Sequence, residues 1–274
     1  MRGWSQGLLI AAVLLTSASA AVAADAPSPD GLRPLCADRP GKATPPCILD
    51  AGHTQLEVGL VDFSTTHDAG ERDDTYNIGG FELRHGLTRR TEVELAWTPL
   101  IVERDKGPGG SLHSTGVGDL TLGMRAAITN PDTDGLMVSV EPFVTAPTAT
   151  QGLGAGGWTG GVLLPMSAPL PGGASATVTP QLQVARNSEG GGTHVAWSGA
   201  AGVSEPVGSG SLGVELWGEV DDDPAGSIKQ ASVDFTAAWT PPKAPNLQLD
   251  GGVNAGLNHA TPQVEAYVGV SRRF

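Results

Sequence analysis

His194 and Ser198 come nearest to a hydrolase pair in this sequence. They share one face of a predicted strand in HVAWS, where an acyl hydrolase acting on lipid would need a nucleophile, a base and a group that orients the base. Four residues along a strand cover about 13 Å, which is too far for a direct hydrogen bond. No serine lies in a G-x-S-x-G nucleophile elbow. We therefore predict no catalytic residue and no enzymatic activity.

Two further motifs resemble ligand sites. GLGAGG at 152–157 matches G-x-G-x-x-G, but no strand–helix unit surrounds it, so a flexible loop is the better interpretation. DDDPAG at 221–226 could offer Asp221 and Asp223 to Ca²⁺, which would require several more oxygen ligands. The acidic residues are therefore interpreted as a solvated loop tip, and we predict no metal site and no cofactor.

Carboxylates recur with a regular spacing, as Glu92 and Glu94 do in TEVEL. They alternate with apolar side chains, and a strand places alternate residues on opposite faces. On a soluble protein the polar face would be an ordinary solvated surface, whereas in a membrane barrel it would line the lumen. The predicted pore-lining residues are Glu57, Glu92, Glu94, Asp119, Arg125, Glu141, Glu215, Glu219, Asp234, Asp250 and Glu265.

The elements that must position these carboxylates are strands of about 10–13 residues separated by turn residues. The clearest runs from residue 116 to 129, where Leu120, Leu122, Met124 and Ala126 alternate with polar or small residues. The same alternation predicts twelve strands, over residues 54–63, 75–86, 90–101, 116–129, 135–146, 157–168, 174–186, 193–204, 211–220, 229–240, 247–258 and 263–274.

Two of these strands carry irregularities. Gly79-Gly80 predicts a bulge in the second strand that switches the face of its side chains. Pro165 has no N–H for the ladder, so we expect it to resist central pairing in the sixth strand.

Strand length and connections favour a barrel over a sandwich. Twelve residues at about 3.3 Å each, tilted by about 40°, cross roughly 30 Å of height, which is enough for an apolar band of about 25 Å. Sandwich strands are more often about 5–6 residues long. Short turns such as GLTRR alternate with three longer segments that we expect to be loops, STTHDAGERDD, ERDKGPGGSLHS and APTATQGLGAGG. We predict an all-β fold, a single closed antiparallel transmembrane β-barrel of about twelve strands with short periplasmic turns and longer outer loops.

The sequence before the first strand divides into two parts. Residues 1–24 have a basic start, a short apolar run and small residues before a cleavage point, and are predicted to be a secretory signal peptide. Residues 25–51 are rich in Pro, Ala and Asp and are predicted to be an irregular periplasmic segment. In an exported chain, Cys36 and Cys47 are expected to form a disulfide; a metal site is the alternative. Residues 52–274 are assigned to the barrel.

Charge and aromatic residues fit an outer-membrane location. Removal of Arg2 leaves 15 basic against 29 acidic side chains, a net charge of −14, which excludes a general nucleic-acid-binding protein. If the N-terminus is periplasmic, the large aromatic residues fall near the two lipid–water boundaries. Phe63, Trp97, Trp158 and Trp197 are expected toward the outer rim, and Trp239 and Phe274 toward the inner rim.

Several motifs carry a family resemblance. DRPGK…PPC, GHTQLEVG, FELRHGLTRRTEVEL and TGVGDLTLGMR resemble the outer-membrane transporter family named for the "MetA-pathway of phenol degradation". The resemblance covers roughly residues 36–274. It implies a barrel that takes up small hydrophobic or aromatic compounds. The final YVGVSRRF is similar to the signal by which the barrel-assembly machinery receives its clients, with Phe274 as its terminal residue.

Three functional hypotheses remain at this point. The first is a passive transporter or pore in the cell outer membrane, surrounded by outer-membrane lipid, carrying a small-molecule solute and acting as a monomer because a closed barrel leaves no free edge. Its excess of carboxylates would favour cations. The second is a lipid-modifying barrel enzyme. The third is an exported soluble β-sandwich that binds a ligand.

Overall fold

The computed structural model describes residues 31–68 and 70–274, which form twelve antiparallel strands. The predicted signal peptide, residues 1–24, lies outside the described residues. In chain order the strands are β1 (Thr54–Asp68), β2 (Glu71–Thr88), β3 (Thr91–Trp97, continued by Leu100–Gly107), β4 (Gly110–Gly116, continued by Leu120–Ala127), β5 (Met137–Ala146), β6 (Thr159–Leu163, continued by Met166–Pro169), β7 (Ser175–Arg186), β8 (Thr193–Val207), β9 (Gly210–Asp221), β10 (Ile228–Trp239), β11 (Leu247–Gly256) and β12 (Val264–Arg273).

The strands close into a ring. Each pairs with its neighbours in the chain, and β1 pairs with both β2 and β12, so that Val58 lies between Phe81 and Val270. Hydrocarbon offers no hydrogen-bond partners, and a closed antiparallel sheet pairs its own backbone groups. The predicted closed twelve-stranded barrel is thereby confirmed. No helix in the described part of the chain is long and apolar enough to cross a membrane.

The side chains of the wall are sorted by face as the alternation predicts. Leu212, Val214 and Leu216 of β9 are exposed, as are Leu122 and Met124 of β4. The largest fully buried side chains, in contrast, are polar or charged for the most part: Arg84, Arg125, Gln55, Glu57, Glu92, Asn254 and Asp234 lead them. This distribution of side chains is the reverse of that in a soluble domain, because here the apolar face contacts lipid and the polar face contacts the interior of the barrel.

The two predicted irregularities differ in outcome. The inward face of β2 switches at Gly79, whose φ is +69°, since Asn77 before it and Gly80 and Glu82 after it line one interior cavity. The predicted bulge, however, lies in the neighbouring strand: β2 keeps its register against β1 here, and the register shift falls between Gly59 and Val61 of β1 in its pairing with β12. In β6 the strand is interrupted between Leu163 and Met166, where Pro165 cannot donate to the ladder. Its carbonyl still accepts a bond from Ser139 N at 3.0 Å.

Two of the segments expected as long loops are largely strand. β1 and β2 remain paired out to Asp68 and Glu71, and the two parts of β3 and β4 remain paired out to Gly107 and Gly110. Polar side chains bridge the extended β1–β2 hairpin, where Thr65 Oγ1 donates to Asp74 at 2.8 Å. Sequence alternation missed these extensions because their side chains are polar on both faces. The connection from β5 to β6, residues 147–158, is the long irregular segment at this rim.

Three of the aromatic residues expected at the rims, Trp158, Trp239 and Phe274, lie at strand ends. Trp158 directly precedes β6 beside the long connection, and Trp239 ends β10 beside a short turn, where its Nε1 donates to Ser209 Oγ at 2.9 Å. Phe274 follows β12 at that same short-turn rim and is 63% exposed. An indole or phenyl ring with one wet edge suits a lipid–water boundary.

Candidate functional site in the barrel lumen

Residues 33–50, called the plug below, lie against the inward side chains of the barrel wall. The segment has no helix or strand, and the disulfide Cys36–Cys47 closes it into a loop. Ala37, Ala43, Ile48 and Leu49 are buried between the loop and the wall. The prolines of RPGKATPPC lack N–H groups and disfavour regular structure, so the backbone of the plug must find its partners elsewhere.

The wall supplies those partners. Three wall carboxylates accept hydrogen bonds from backbone N–H groups of the plug. Glu92 accepts from Leu49. Glu57 accepts from Asp38 and Arg39, and Glu215 accepts from Lys42 and Ala43. Buried backbone groups must be paired. In a sheet the carbonyls of a neighbouring strand accept the backbone N–H bonds, and here wall carboxylates accept them instead. This is the structural use of charged side chains on the inward face.

Two guanidinium groups form the centre of what we call the arginine cluster, on β1 to β5. Arg84 and Arg125 are both 0% exposed. Arg84 donates to the carbonyls of Cys36 and Cys47 at 3.0 and 3.2 Å, and it pairs with Glu57 and Glu92 at 3.1 and 2.6 Å. The two disulfide-bonded residues are thus held to the wall through their backbone.

Arg125 completes the arginine cluster by reaching the plug side chain Asp38. Its Nη1 and Nη2 lie 2.9 and 2.5 Å from the two oxygens of Asp38. It also pairs with Glu94 at 3.1 Å and with Glu141 at 2.8 Å. The carboxylates of Asp38, Glu82 and Glu94 lie close enough together to share a metal ion, but Arg125 already balances two of them.

The tip of the plug contacts the opposite side of the lumen, on β9 to β12. Arg39 pairs with Asp250 at 3.0 Å and lies 5.5 Å from the ring centroid of Tyr267. Lys42 pairs with Glu265 at 3.0 Å and lies 4.6 Å from the ring centroid of Trp217. We call this wall surface the tip site; its charged members are Glu215, Asp234, Asp250 and Glu265.

A third set of contacts ties the start of the plug to the short-turn rim. Arg33 and Arg89 pair with Asp132 at 2.7 and 2.8 Å. Arg273, near the C-terminus, donates to the carbonyl of Arg33 at 2.6 Å. The hydrogen bonds from Arg33 and Arg89 hold the pKa of Asp132, which lies in the β4–β5 turn, below its usual value.

The predicted pore-lining residues fall into these groups, with two exceptions. Glu57, Glu92, Glu94, Arg125 and Glu141 belong to the arginine cluster. Glu215, Asp234, Asp250 and Glu265 belong to the tip site. Asp119 instead accepts hydrogen bonds from Ala149 N and Ala155 N, both at 2.8 Å, and so fixes the β5–β6 connection. Glu219 lies farther along β9, two residues from Asp221. Whether the set lines a conducting pore stays a prediction.

Sequence reasoning missed Arg84 and Glu82, which follow the switch of face at Gly79 in β2, and the plug residues Asp38, Arg39 and Lys42. The signal for the first two was the face switch at Gly79. The signal for the others was a disulfide loop, DRPGK, with both charge signs and no apolar residue large enough to anchor it.

The plug leaves part of the lumen open. Two cavities of about 410 and 310 Å³ share Glu82 and Ala96 in their linings. The larger reaches Thr145, Ala155 and Thr159 beside the long β5–β6 connection. The open space therefore lies between the arginine cluster and the rim with the longer connections.

The motifs considered for catalysis or ion binding have structural partners. His194 lies 2.5 Å from Asp221 and 3.0 Å from Asn187, rather than beside Ser198. Asp223 accepts bonds from Ala225 N and Ser188 N, both at 2.7 Å. The GLGAGG segment is irregular, with positive φ at Gly152 and Gly156.

Comparisons with known proteins agree with this architecture. A family model described as "Putative MetA-pathway of phenol degradation" matches residues 37–274. An outer membrane channel from Pseudomonas putida F1 is 17% identical, with 86% of this chain and 99% of that chain covered and a TM-score of 0.66. The beta domain of the Bordetella autotransporter BrkA is 14% identical, with 82% and 100% covered and a TM-score of 0.50. These likenesses show the fold. None of the curated proteins matches the chain.

Proposed function

Because the chain belongs to the family described by the MetA pathway of phenol degradation, we propose that it is a passive transporter of the outer membrane for small solutes, and that the plug controls passage. The barrel has an apolar outside and a charged inside, as an outer-membrane channel requires. Residues 1–24 would be removed on export.

One observation carries this proposal: the plug is held in the lumen by side chains and is not a strand of the barrel. Its contacts are hydrogen bonds and ion pairs with wall residues such as Arg84, Arg125 and Glu215. Such contacts can break without opening the barrel, because the ring of strands closes through β1 and β12 independently of the plug. The cavities beyond the plug provide the outer half of a path.

The proposed solutes are small organic molecules, aromatic or hydrophobic compounds among them. The family description points to phenol degradation. Phe81 and Trp97 border the smaller cavity, and Phe143 and Leu163 border the larger one. Apolar groups in a mostly polar lumen suit a solute that has an aromatic ring and a polar substituent.

Liposome swelling tests the proposal. Purified protein would be reconstituted and challenged with a panel of small aromatic, sugar and charged solutes. We expect slow swelling for the full mature chain and fast swelling for a variant that begins at Ala51, with the heat-modifiable gel mobility of a folded barrel in both. If neither form admits any solute although both barrels are folded, the transport proposal is wrong.

We also propose that the chain is not an enzyme. His194 is engaged by Asp221 and Asn187, so it is not poised as a base for Ser198. The test is a lipid-hydrolysis assay on the purified barrel. An activity that His194→Ala abolishes would overturn this statement.

The remaining proposals concern assembly. We propose that the barrel-assembly machinery receives the chain through Phe274, which is exposed at the short-turn rim, and that the barrel works as a monomer. Phe274→Ala should lower the amount of folded protein in the outer membrane without changing its synthesis. A purified barrel whose mass in detergent is a multiple of one chain would contradict the monomer.

A further inference from the structure

A row of polar side chains crosses the tip site. Glu215, Asp234, Asn254 and Glu265 are direct cross-strand partners on β9, β10, β11 and β12 in turn. Direct partners on one face lie about 4.5–5.5 Å apart, and like charges in such positions repel. Glu215 opposite Asp234 is therefore an unfavourable pair unless a cation lies between or beside them.

The plug brings the cations to this row. Lys42 pairs with Glu265, reaches Ser232 Oγ at 3.4 Å and lies over Trp217. Arg39 pairs with Asp250 and lies over Tyr267. Each cationic group thus meets one carboxylate and one aromatic face, the combination by which proteins bind organic ammonium and guanidinium groups.

The close approach of the tip is built into both surfaces. A Cβ at Gly269 of the wall would overlap the guanidinium of Arg39. A Cβ at Gly41 of the plug would overlap the carboxylate of Glu215. Small residues at both points let the tip sit directly on the row.

The plug does not satisfy the site completely. Asp234 is 0% exposed, and its carboxylate lies near Ser232 and Lys42, but neither oxygen accepts a well-formed hydrogen bond within residues 31–68 and 70–274. The hydroxyl of Tyr267 and the amide oxygen of Asn254 are also buried without one in that part of the chain. Five carboxylates, those of Asp62, Glu215, Asp234, Asp250 and Glu265, face the two plug cations.

We propose that the tip site is a binding site for small organic cations carrying ammonium or guanidinium groups, and that Arg39 and Lys42 occupy it as built-in ligands. A soluble organic cation competes with the plug tip for the same carboxylates and rings. Its binding displaces the tip while the arginine cluster keeps the rest of the plug docked. This inference depends on the proposed function only where it names a class of transported solute. Binding at the tip site does not require that the solute pass through the barrel.

Calorimetric titration of the folded, full-length barrel in detergent tests the proposal. The probe is agmatine, which carries one guanidinium and one ammonium on a short apolar stem; 1,4-butanediol and Mg²⁺ are the comparison probes. The key variant is Arg39→Gln/Lys42→Gln, which vacates the site. A site occupied by an internal competitor shows reduced apparent affinity, so vacating it should strengthen agmatine binding by about tenfold or more.

A matched variant distinguishes the effect of emptying the tip site from the effect of lowering the net charge of the protein. Lys229→Gln/Lys243→Gln removes the same two positive charges from exposed positions outside the lumen. It should leave agmatine affinity within about twofold of the original, since exposed charges are screened. Asp234→Asn, added to the vacated variant, should weaken binding by about tenfold, because the loss of a charged hydrogen-bond acceptor costs this much.

The outcomes are distinct. Equal strengthening in both double variants would mean attraction by net charge, and Mg²⁺ binding as strong as agmatine would mean an inorganic cation site; either result overturns the proposal. So does an unchanged affinity in Arg39→Gln/Lys42→Gln. Failure here leaves swelling with neutral solutes unaffected, whereas failure of the transport proposal abolishes swelling and leaves agmatine titration intact.

Discussion

The two sides of the lumen hold the plug with opposite polarity. In the arginine cluster the wall supplies the cations, and the plug supplies Asp38 and backbone carbonyls. In the tip site the wall supplies carboxylates, and the plug supplies Arg39 and Lys42. The degree of burial differs as well: Arg84 and Arg125 are 0% exposed, whereas the side chains of Arg39 and Lys42 are 22% and 24% exposed.

This difference indicates that the two groups of contacts have different roles in holding the plug. A guanidinium enclosed by several carboxylates and carbonyls cannot leave without stranding buried charges. A partly exposed ammonium or guanidinium exchanges its partner for water at small cost. The arginine cluster therefore acts as the anchor of the plug, and the tip site as the contact that releases first.

The largest effect is expected at the anchor. Arg125→Leu would leave Asp38, Glu94 and Glu141 without their common cation, and removing one partner of a buried ion-pair network costs about 3–5 kcal/mol. The temperature at which the folded gel band converts to the unfolded one should fall markedly. The control is Arg104→Leu, on the outer hairpin, where Arg104 lies near Tyr76. If both variants convert at the same temperature, the arginine cluster does not anchor the plug.

The next effect concerns the loop that joins anchor and tip. Cys36→Ser/Cys47→Ser opens a loop whose ends are 11 residues apart, and closing such a loop is worth about 3 kcal/mol in the chain-entropy model. The barrel should keep its folded mobility while solutes enter liposomes faster. Swelling at the original rate would show that the plug stays docked without the disulfide.

A smaller effect is expected from displacing the tip without changing charge. Gly41→Val should push the tip away from Glu215 because the new side chain needs the space that this carboxylate fills. Solute entry should rise, but less than in the disulfide variant. Gly226→Val, at a position with open space around it, is the matched control. Identical swelling rates for the two valine variants would mean that the tip does not restrict passage.

The smallest effect is expected at the rim contact, on the anchor side of the plug. The pKa of Asp132 is lowered by Arg33 and Arg89, so this contact stabilises the folded state above the unfolded pKa of about 3.9 and loses its contribution as the pH falls through the lower folded value. Because Asp132 is partly exposed, the contribution is under about 1 kcal/mol. The unfolding difference between the original chain and Asp132→Asn should be present at neutral pH and vanish under strongly acidic conditions; a difference that grows with acidity would contradict the assignment.

The barrel could be predicted from the sequence because its signal is local. Alternation in segments such as Leu120–Ala127 is set by two faces that meet fat and water, and the twelve predicted strands correspond to those found. The inward position of Glu57 and Glu92 follows from the same rule.

The docking of the plug could not be predicted, because its contacts join distant parts of the chain without a periodic pattern. Arg39 and Asp250 are 211 residues apart, and Lys42 and Glu215 are 173 apart. An irregular backbone that forms hydrogen bonds with side chains leaves no periodic pattern in the sequence. The sequence therefore reveals the charged lumen but not the segment that occupies it.

A charge swap across the tip site tests most directly whether contact between plug and wall controls passage. Lys42→Glu and Glu265→Lys each destroy the 3.0 Å pair between these residues, and the double variant restores an opposite-charge pair with the signs exchanged. We expect faster swelling for each single variant and a return most of the way to the original rate for the double variant. If the double variant instead swells as fast as the two single changes added together, the contact between Lys42 and Glu265 does not control passage, and the plug is not the gate.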